Sequence, residues 1–194
     1  MTQRSRGRPK ASEPQISPED IITHALLIID RDGFDNLTMR ALAKEMNINP
    51  MTIYHHFQDR SGLIKAIANS LYANIIPTLK GTNSEQIEAI LLAYRTQVTR
   101  YPALTLAIFN LPNAFPEQAK KITEKLVFLL EQRGLHSTEA LQWTHILVDY
   151  THGESLSVTK QPTISTPNSI EDNPELTRYR SAINMLINNL KHGL

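Results

Sequence analysis

The sequence predicts an all-α protein built of a small N-terminal domain and a larger helical one, and three observations carry that prediction. Apolar residues recur at helical spacing from Ile22 to Leu190, with no strand-like alternation, heptad run or internal repeat. Breakers and caps bound the recurring segments, among them Gly33, Asn49-Pro50, Pro77, Pro102, Pro112, Pro116 and Gly134. A composition 41% apolar and 20% charged, with few aromatics, suits a helical globular chain, and 194 residues allow two domains.

The elements follow in order. Ser17-Pro18-Glu19-Asp20 opens a first helix with a serine cap, proline at the first position and acids in the first turn. Ile22, Ala25, Leu26 and Ile29 give it an apolar face, and Gly33 ends it. Thr38 caps a short second helix, TMRALAKEM, with Leu42, Ala43 and Met46 expected to face the first. Asn47 suits a left-handed turn, while Asn49 and Pro50 start a third helix, PMTIYHHF. Two short helices across a tight turn, behind a longer packing helix, make a helix-turn-helix unit.

Asp59 recaps the chain for a fourth helix through about Ile76, striped by Leu63, Ile64, Ile67, Ala68 and Leu71 and stopped by Pro77. Helical patterns continue over 84–100, in ALTLAIFNL and over 116–133. A long helix from Ser137 or Thr138 carries Leu141, Ile146, Val148, Tyr150 and Leu156; a last one, from Glu175 to about Lys191, carries Leu176, Tyr179, Ile183, Leu186, Ile187 and Leu190. Between these two, TKQPTISTPNSIEDNP reads as a loop. The expected organisation is a basic arm over 1–16, a helix-turn-helix domain over 17–62 and a helical domain over 63–194.

Several function classes are excluded at this level. Without cysteine there is no disulfide framework or thiolate metal site. No apolar run approaches the roughly 20 residues of a membrane span, and no apolar region follows the basic N-terminus, so a cytoplasmic protein without a membrane partner is expected. No nucleophile elbow, HExxH or glycine-rich phosphate loop is present, so the chain reads as a non-enzyme needing no cofactor. The net charge of +1 is unevenly spread: Arg4, Arg6, Arg8 and Lys10 stand in the first ten residues with no acid among them.

The stretch DGFDNLTMRALAKEMNINPMTIYHHFQDRSGLIKAI resembles the DNA-binding domain of the tetracycline-repressor-like family of bacterial transcriptional regulators. The resemblance rests on the Gly-Phe end of the first helix, Leu-Thr-x-Arg-x-Leu-Ala opening the second, Tyr-x-His-Phe in the third, and a basic residue with leucine opening the fourth. Asn47 replaces the usual turn glycine, Asn49 the usual serine, and Gly62 a longer residue, which is expected to loosen the start of the fourth helix. The resemblance implies a third helix that enters the major groove with Pro50, Met51, Thr52 and His55 toward base edges. Tyr54 and His56 resemble the family's phosphate-contacting pair; Thr38, Arg40 and Arg60 would anchor the backbone, with Asn49 as the cap. As sequence neighbours, His55 and His56 point about 100° apart on a helix and make a poor metal chelate. Arg4, Arg6 and Arg8 lie in RSRGRPK, which resembles an AT-hook for the minor groove; a solvated tail or nonspecific phosphate anchor is the alternative.

Farther on, RYPALTLAIFNLP, FLLEQRGL and ILVDYTHGESL resemble segments of the same family's regulatory domain. This implies a homodimer through the helices 138–158 and 175–191, with Gly153, which costs about 1 kcal/mol against alanine in mid-helix, at a close approach. Tyr94, Phe109, Asn110, Phe128, Trp143, His145 and Tyr150, with Phe115, are candidates to line a small-molecule cavity, the alternative for each being core packing. Ala107 and Ser157 stand where tetracycline repressors place a metal-binding histidine and an acid, so a magnesium–tetracycline pocket is not expected. His145 and His152 share a helical face near Glu154, which leaves a metal as a minor alternative to none. The expected function is a homodimeric repressor released from a palindromic double-stranded DNA operator by a small, largely apolar effector; the alternative is a constitutive DNA-organising protein.

Overall fold

A computed structural model of the chain describes residues 16–76, 80–111, 113–157 and 173–190. Arg4, Arg6 and Arg8 of the basic arm, and nearly all of the polar stretch before the last helix, lie outside the described residues. Within them every regular element is helical: α1 Pro18–Asp32, a 3-10 turn Phe34–Asn36, α2 Met39–Glu45, α3 Pro50–Phe57, α4 Arg60–Tyr72, α5 Asn83–Arg100, α6 Pro102–Asn110, α7 Glu117–Glu131, α8 Ser137–Ser157 and α9 Pro174–Asn188. The chain divides into compact units at Leu63–Ile64, so α4 begins in one and continues into the other.

In the N-terminal unit local signals set the helix ends. Ser17 and Asp20 form a reciprocal capping box on α1. Thr38 Oγ1 accepts from Ala41 N–H at 3.0 Å, and Asn49 Oδ1 from Met51 N–H at 2.9 Å. Between α2 and α3, Asn47 has φ of 53°, its N–H reaches the Lys44 carbonyl, and the Ile48 N–H reaches that of Ala43. This is a Schellman closure with asparagine in the place glycine usually holds. The buried face of α1 is Ile21, Ala25, Ile28 and Ile29, which keeps Ala25 and Ile29 of the expected stripe and puts Ile21 and Ile28 in place of Ile22 and Leu26, both half-buried at its edge. Leu42 and Ala43 of α2 are buried and Met46 is half-buried. The helix α4 stops at Tyr72, earlier than expected, and buries that tyrosine as well as Leu63, Ile64, Ile67 and Ala68.

In the second unit α8 packs on α5, α7 and α9. Its buried face corrects the expected one. Ala140, Thr144, Leu147, Thr151 and Ser155 are inside, whereas Leu141, Ile146 and Leu156 are exposed. The hydroxyls of Thr144 and Thr151 donate to the carbonyls of Ala140 and Leu147 one turn back, which removes the polar cost of burying them. Beside them Arg95 and Glu154, 6% and 7% exposed, make a bidentate pair at 2.7 and 2.8 Å. The same guanidinium stands 5.1 Å from the centre of the Tyr179 ring on α9, and the Tyr179 hydroxyl meets Thr151 Oγ1 at 2.7 Å. Along α9, Tyr179, Ile183 and Ile187 are buried, followed by Leu190, with Leu176 and Leu186 half-buried.

Removing one partner of a sealed pair strands the other charge, so Glu154→Gln should cost about 3–5 kcal/mol in chemical denaturation. Arg95→Met with Glu154→Leu should cost less than Glu154→Gln alone; equal or greater loss in the double variant would show that the pair is not what α8 relies on.

Candidate nucleic-acid interface and ligand cavity

An eight-residue helix cannot stand alone in water, so α3 depends on its caps and on the two side chains it buries, Ile53 and Phe57. At about 100° per residue, the side opposite these two belongs to His55, flanked by Met51 and Thr52. Met51 is 67% exposed, His55 is exposed and Thr52 half-buried. Tyr54 and His56 fall to either side of the buried pair; Tyr54 is exposed, and His56 is half-buried between the rings of His55 at 5.8 Å and Phe57 at 6.1 Å. The helix thus presents Met51, Thr52 and His55 in the middle of its outer face, with Tyr54 and His56 on its flanks. Pro50 is its first residue, and Asn49 is spent on capping it.

The flanking candidates are positioned by local bonds. Thr38 uses its oxygen as the α2 cap, and Arg40 is exposed one turn on. The Arg60 guanidinium lies 5.2 Å from the centre of the buried Phe34 ring, which holds a flexible cation against an apolar shelf.

The α3–α4 junction is tighter than expected. Gln58 has φ of 63° and ψ of −53°, and the Asp59 N–H bonds the Phe57 carbonyl at 2.7 Å, a γ-turn of the rare, strained hand. That carbonyl also explains Gly62: a Cβ at this position would sit 2.0 Å from the Phe57 oxygen. Asp59 Oδ1 meanwhile accepts from the Gly62 N–H at 2.8 Å. Glycine here does not loosen α4, as the sequence reading has it; it admits the turn that aims α3.

The second unit contains a cavity of about 220 Å³. Its wall is Tyr72 of α4, Tyr94 of α5, Thr105, Ile108 and Phe109 of α6, Phe115 and Pro116 before α7, Ala119, Ile122 and Thr123 of α7, and His145, Val148, Asp149 and His152 of α8. Of the residues expected there, Tyr94, Phe109, Phe115 and His145 are on the wall. Asn110, Phe128, Trp143 and Tyr150 are not: Phe128 is exposed with the Lys125 ammonium 5.0 Å from its ring centre, and Tyr150 stacks on Tyr179. The sequence reading missed Tyr72, Asp149 and His152 as wall residues. His145, Asp149 and His152 recur at i, i+4 and i+7, a signal that was available; Tyr72 continues the α4 stripe one turn past Ala68.

Within the cavity the Tyr94 hydroxyl and His152 Nε2 are 2.6 Å apart, and the rings of Tyr72 and Tyr94 meet edge to face. Burial pushes the Tyr72 and Tyr94 phenols above their ordinary range, so both stay protonated. Burial pulls His152 down, against the nearby Asp149, and favours the neutral ring. Glu154 faces away and is held by Arg95; no metal-ligating cluster of three or more groups occurs among the described residues. A larger open depression on the N-terminal unit, about 710 Å³, is edged by Arg31, Asp32 and Glu45, but these satisfy one another at 2.9 and 3.0 Å.

A capped short helix with an outward polar face, in a unit separate from a helical one that encloses a cavity, defines a helix-turn-helix protein with a second, ligand-sized compartment. Within that class, residues 21–67 match the family model described as "Bacterial regulatory proteins, tetR family". An uncharacterised HTH-type transcriptional regulator of Mycobacterium tuberculosis is 29% identical over 119 residues, 55% of each chain. The regulator UidR of Escherichia coli K12 is 38% identical over 56 residues, 29% of each. The chain thus matches about half or less of the length of these relatives. Over the fold it is similar to BioQ of Mycobacterium smegmatis, with TM-score 0.77 and 21% identity over 92% of this chain and 99% of that one. It is also similar to ActR of Streptomyces coelicolor, with TM-score 0.74 and 19% identity over 92% and 96%.

Two measurements test these local features. Gly62→Ala should destabilise the N-terminal unit by about 1–3 kcal/mol, read from amide exchange in α3 and α4, because backbone rather than a movable side chain blocks the new methyl. Gln58→Gly should act in the opposite direction. For His152, the folded ring binds its proton less readily than the unfolded one at about 6.5, so its contribution is complete above that pH and lost as pH falls through 6.5 toward the folded value. Thermal melts between pH 7.5 and 5 should therefore fall more steeply for the natural chain than for His152→Gln; parallel slopes would contradict a buried neutral ring.

Proposed function

We propose that this protein is a homodimeric, DNA-binding transcriptional repressor that leaves a palindromic operator when a small, largely apolar molecule occupies the α4–α8 cavity. The observation that carries the DNA-binding part is the outer face of α3, where Met51, Thr52 and His55 are turned from the core with no partner among the described residues beyond the edge contact between His55 and His56. Methyl-bearing Thr52 and Met51 suit a thymine methyl, and the Thr52 hydroxyl and the His55 ring can hydrogen-bond base edges. Tyr54, His56, Arg60, Arg40 and Thr38 then act on phosphates, and Arg4, Arg6 and Arg8 enter the adjacent minor groove. A crystal structure of BioQ with its double-stranded DNA operator and one of ActR with (S)-DNPA support both halves of this reading.

Dimerisation is supported by what α8 and α9 leave uncovered. Leu141, Ile146, Leu156 and Met185 are exposed, and a Cβ on Gly153 would meet nothing within 4 Å among the described residues. A mid-helix glycine on the outer side, without an intrachain reason, fits close approach by a second copy. Two α3 helices related by that axis read a palindrome. The effector shifts DNA affinity only as far as it binds one arrangement better than the other, and the cavity favours this reading over a constitutive DNA-organising role.

Thr52→Ala and His55→Ala should change base preference at a cost of about 1–3 kcal/mol per lost base contact, whereas Tyr54→Phe and Arg60→Ala should weaken operator and scrambled DNA alike. Binding titrations against both DNAs at fixed salt measure this; equal loss on the two for Thr52→Ala would remove its reading role.

A further inference from the structure

The cavity has a definite charge character. Among the described residues its ionisable wall groups are Tyr72, Tyr94, His145, Asp149 and His152, with no lysine or arginine. Both phenols are held in the neutral form, and burial disfavours the charged form of His152. Among the described residues Asp149 is thus the one carboxylate on the wall, and it stands exposed at the mouth beside His145. It forms no ion pair among the described residues, and its field reaches inward to both Tyr94 and His152.

Aromatic rings make up much of the remaining surface. Tyr72 and Tyr94 meet edge to face at 5.4 Å, and Phe109 meets His152 at 5.0 Å with planes at 88°. Phe109 and Phe115 are about half exposed, so ring surface is left free at the mouth. A carboxylate guest would meet Asp149 with only His145, on the exposed rim, to offset it. A neutral guest would gain nothing from the Asp149 carboxylate, which stays hydrated at the mouth. A cation gains the carboxylate and the negative ring faces together.

Resting on the reading of this cavity as the effector site, we infer that the effector is a small lipophilic cation, an aromatic or alkyl ammonium, seated between Asp149 and the rings of Tyr72, Tyr94, Phe109 and Phe115. The volume, below the roughly 300–1,000 Å³ of drug-sized pockets, suits a guest with one ring or a short branched chain.

Calorimetric titration of the full chain with three probes of one size tests this: phenyltrimethylammonium, its neutral isostere tert-butylbenzene, and benzoate. The cation should bind about tenfold more tightly than the isostere, and benzoate more weakly than both. Asp149→Asn should bring cation and isostere to within about threefold of each other by weakening the cation, and Asp149→Glu should restore the gap. An isostere or benzoate that binds as well as the cation, a preference unchanged in Asp149→Asn, or no binding by any probe would overturn the assignment. Cation binding with the stated preference but without change in DNA affinity would uphold the ligand class and overturn the effector reading instead.

Discussion

The ion pair between Arg95 and Glu154 fixes the rotation of α8, and the division of labour on that helix follows from the rotation. Both side chains are removed from water, so neither can be exchanged for hydration without moving a charge into apolar surroundings. With Glu154 turned to α5 and Thr151 to Tyr179, the face of Ala140, Thr144, Leu147 and Ser155 is committed to the core. One edge of the helix then carries His145, Asp149 and His152 into the cavity, while Gly153 and Leu156 remain outside. The pair therefore does more to choose which residues line the cavity than to add net stability.

How far this was legible in the sequence depends on the range of the signal. The N-terminal unit is specified by short-range chemistry: an oxygen on Thr38 or Asn49 three or two residues ahead of an unpaired amide, a proline at the first turn, an asparagine that tolerates a left-handed conformation. Such signals sit within a few residues of their effect, so helix starts there could be placed closely. In α8 Leu141, Ile146 and Leu156 point out, while Thr144, Thr151 and Ser155 point in beside Ala140 and Leu147. No hydropathy pattern reveals that inversion, because the i−4 carbonyl bonds hiding the threonine hydroxyls and the charge of Arg95, 59 residues from Glu154, appear only once the helices are together.

The same distinction explains the cavity candidates. Aromatic side chains were the available clue, and Phe109 and Tyr94 follow it. Tyr150 does not, since its ring is taken by stacking on Tyr179, with planes 7° apart at 5.9 Å. Asp149 and His152 are polar groups whose position depends on the rotation of α8, so the rotation had to be known before they could be assigned. Gly62 is a related case. Read alone it predicts a loose helix start; read with the Phe57 carbonyl behind it, it marks a crowded one.

The cavity wall is bonded to α4 in a way that gives an occupant something to act on. Pro116 precedes α7 and has no side chain able to cap it, and the Gln118 amide is satisfied by Asn69 Oδ1 of α4 at 2.9 Å. Lys65 of α4 also reaches Glu117 at 3.0 Å, but this pair is partly exposed and screened, so the cap is the firmer of the two links. Three residues beyond Asn69, the Tyr72 ring meets that of Tyr94, whose hydroxyl meets His152. On the proposed reading, a guest that parts Phe115 and Ala119 from Tyr72 would strain the Asn69–Gln118 link and the Tyr72–Tyr94 contact together, and Asn69 and Tyr72 both belong to α4. That exchange would be worth no more than the difference in the guest's affinity for the two arrangements, so on this proposal the contacts that hold the guest and those that pass its presence on would be the same few.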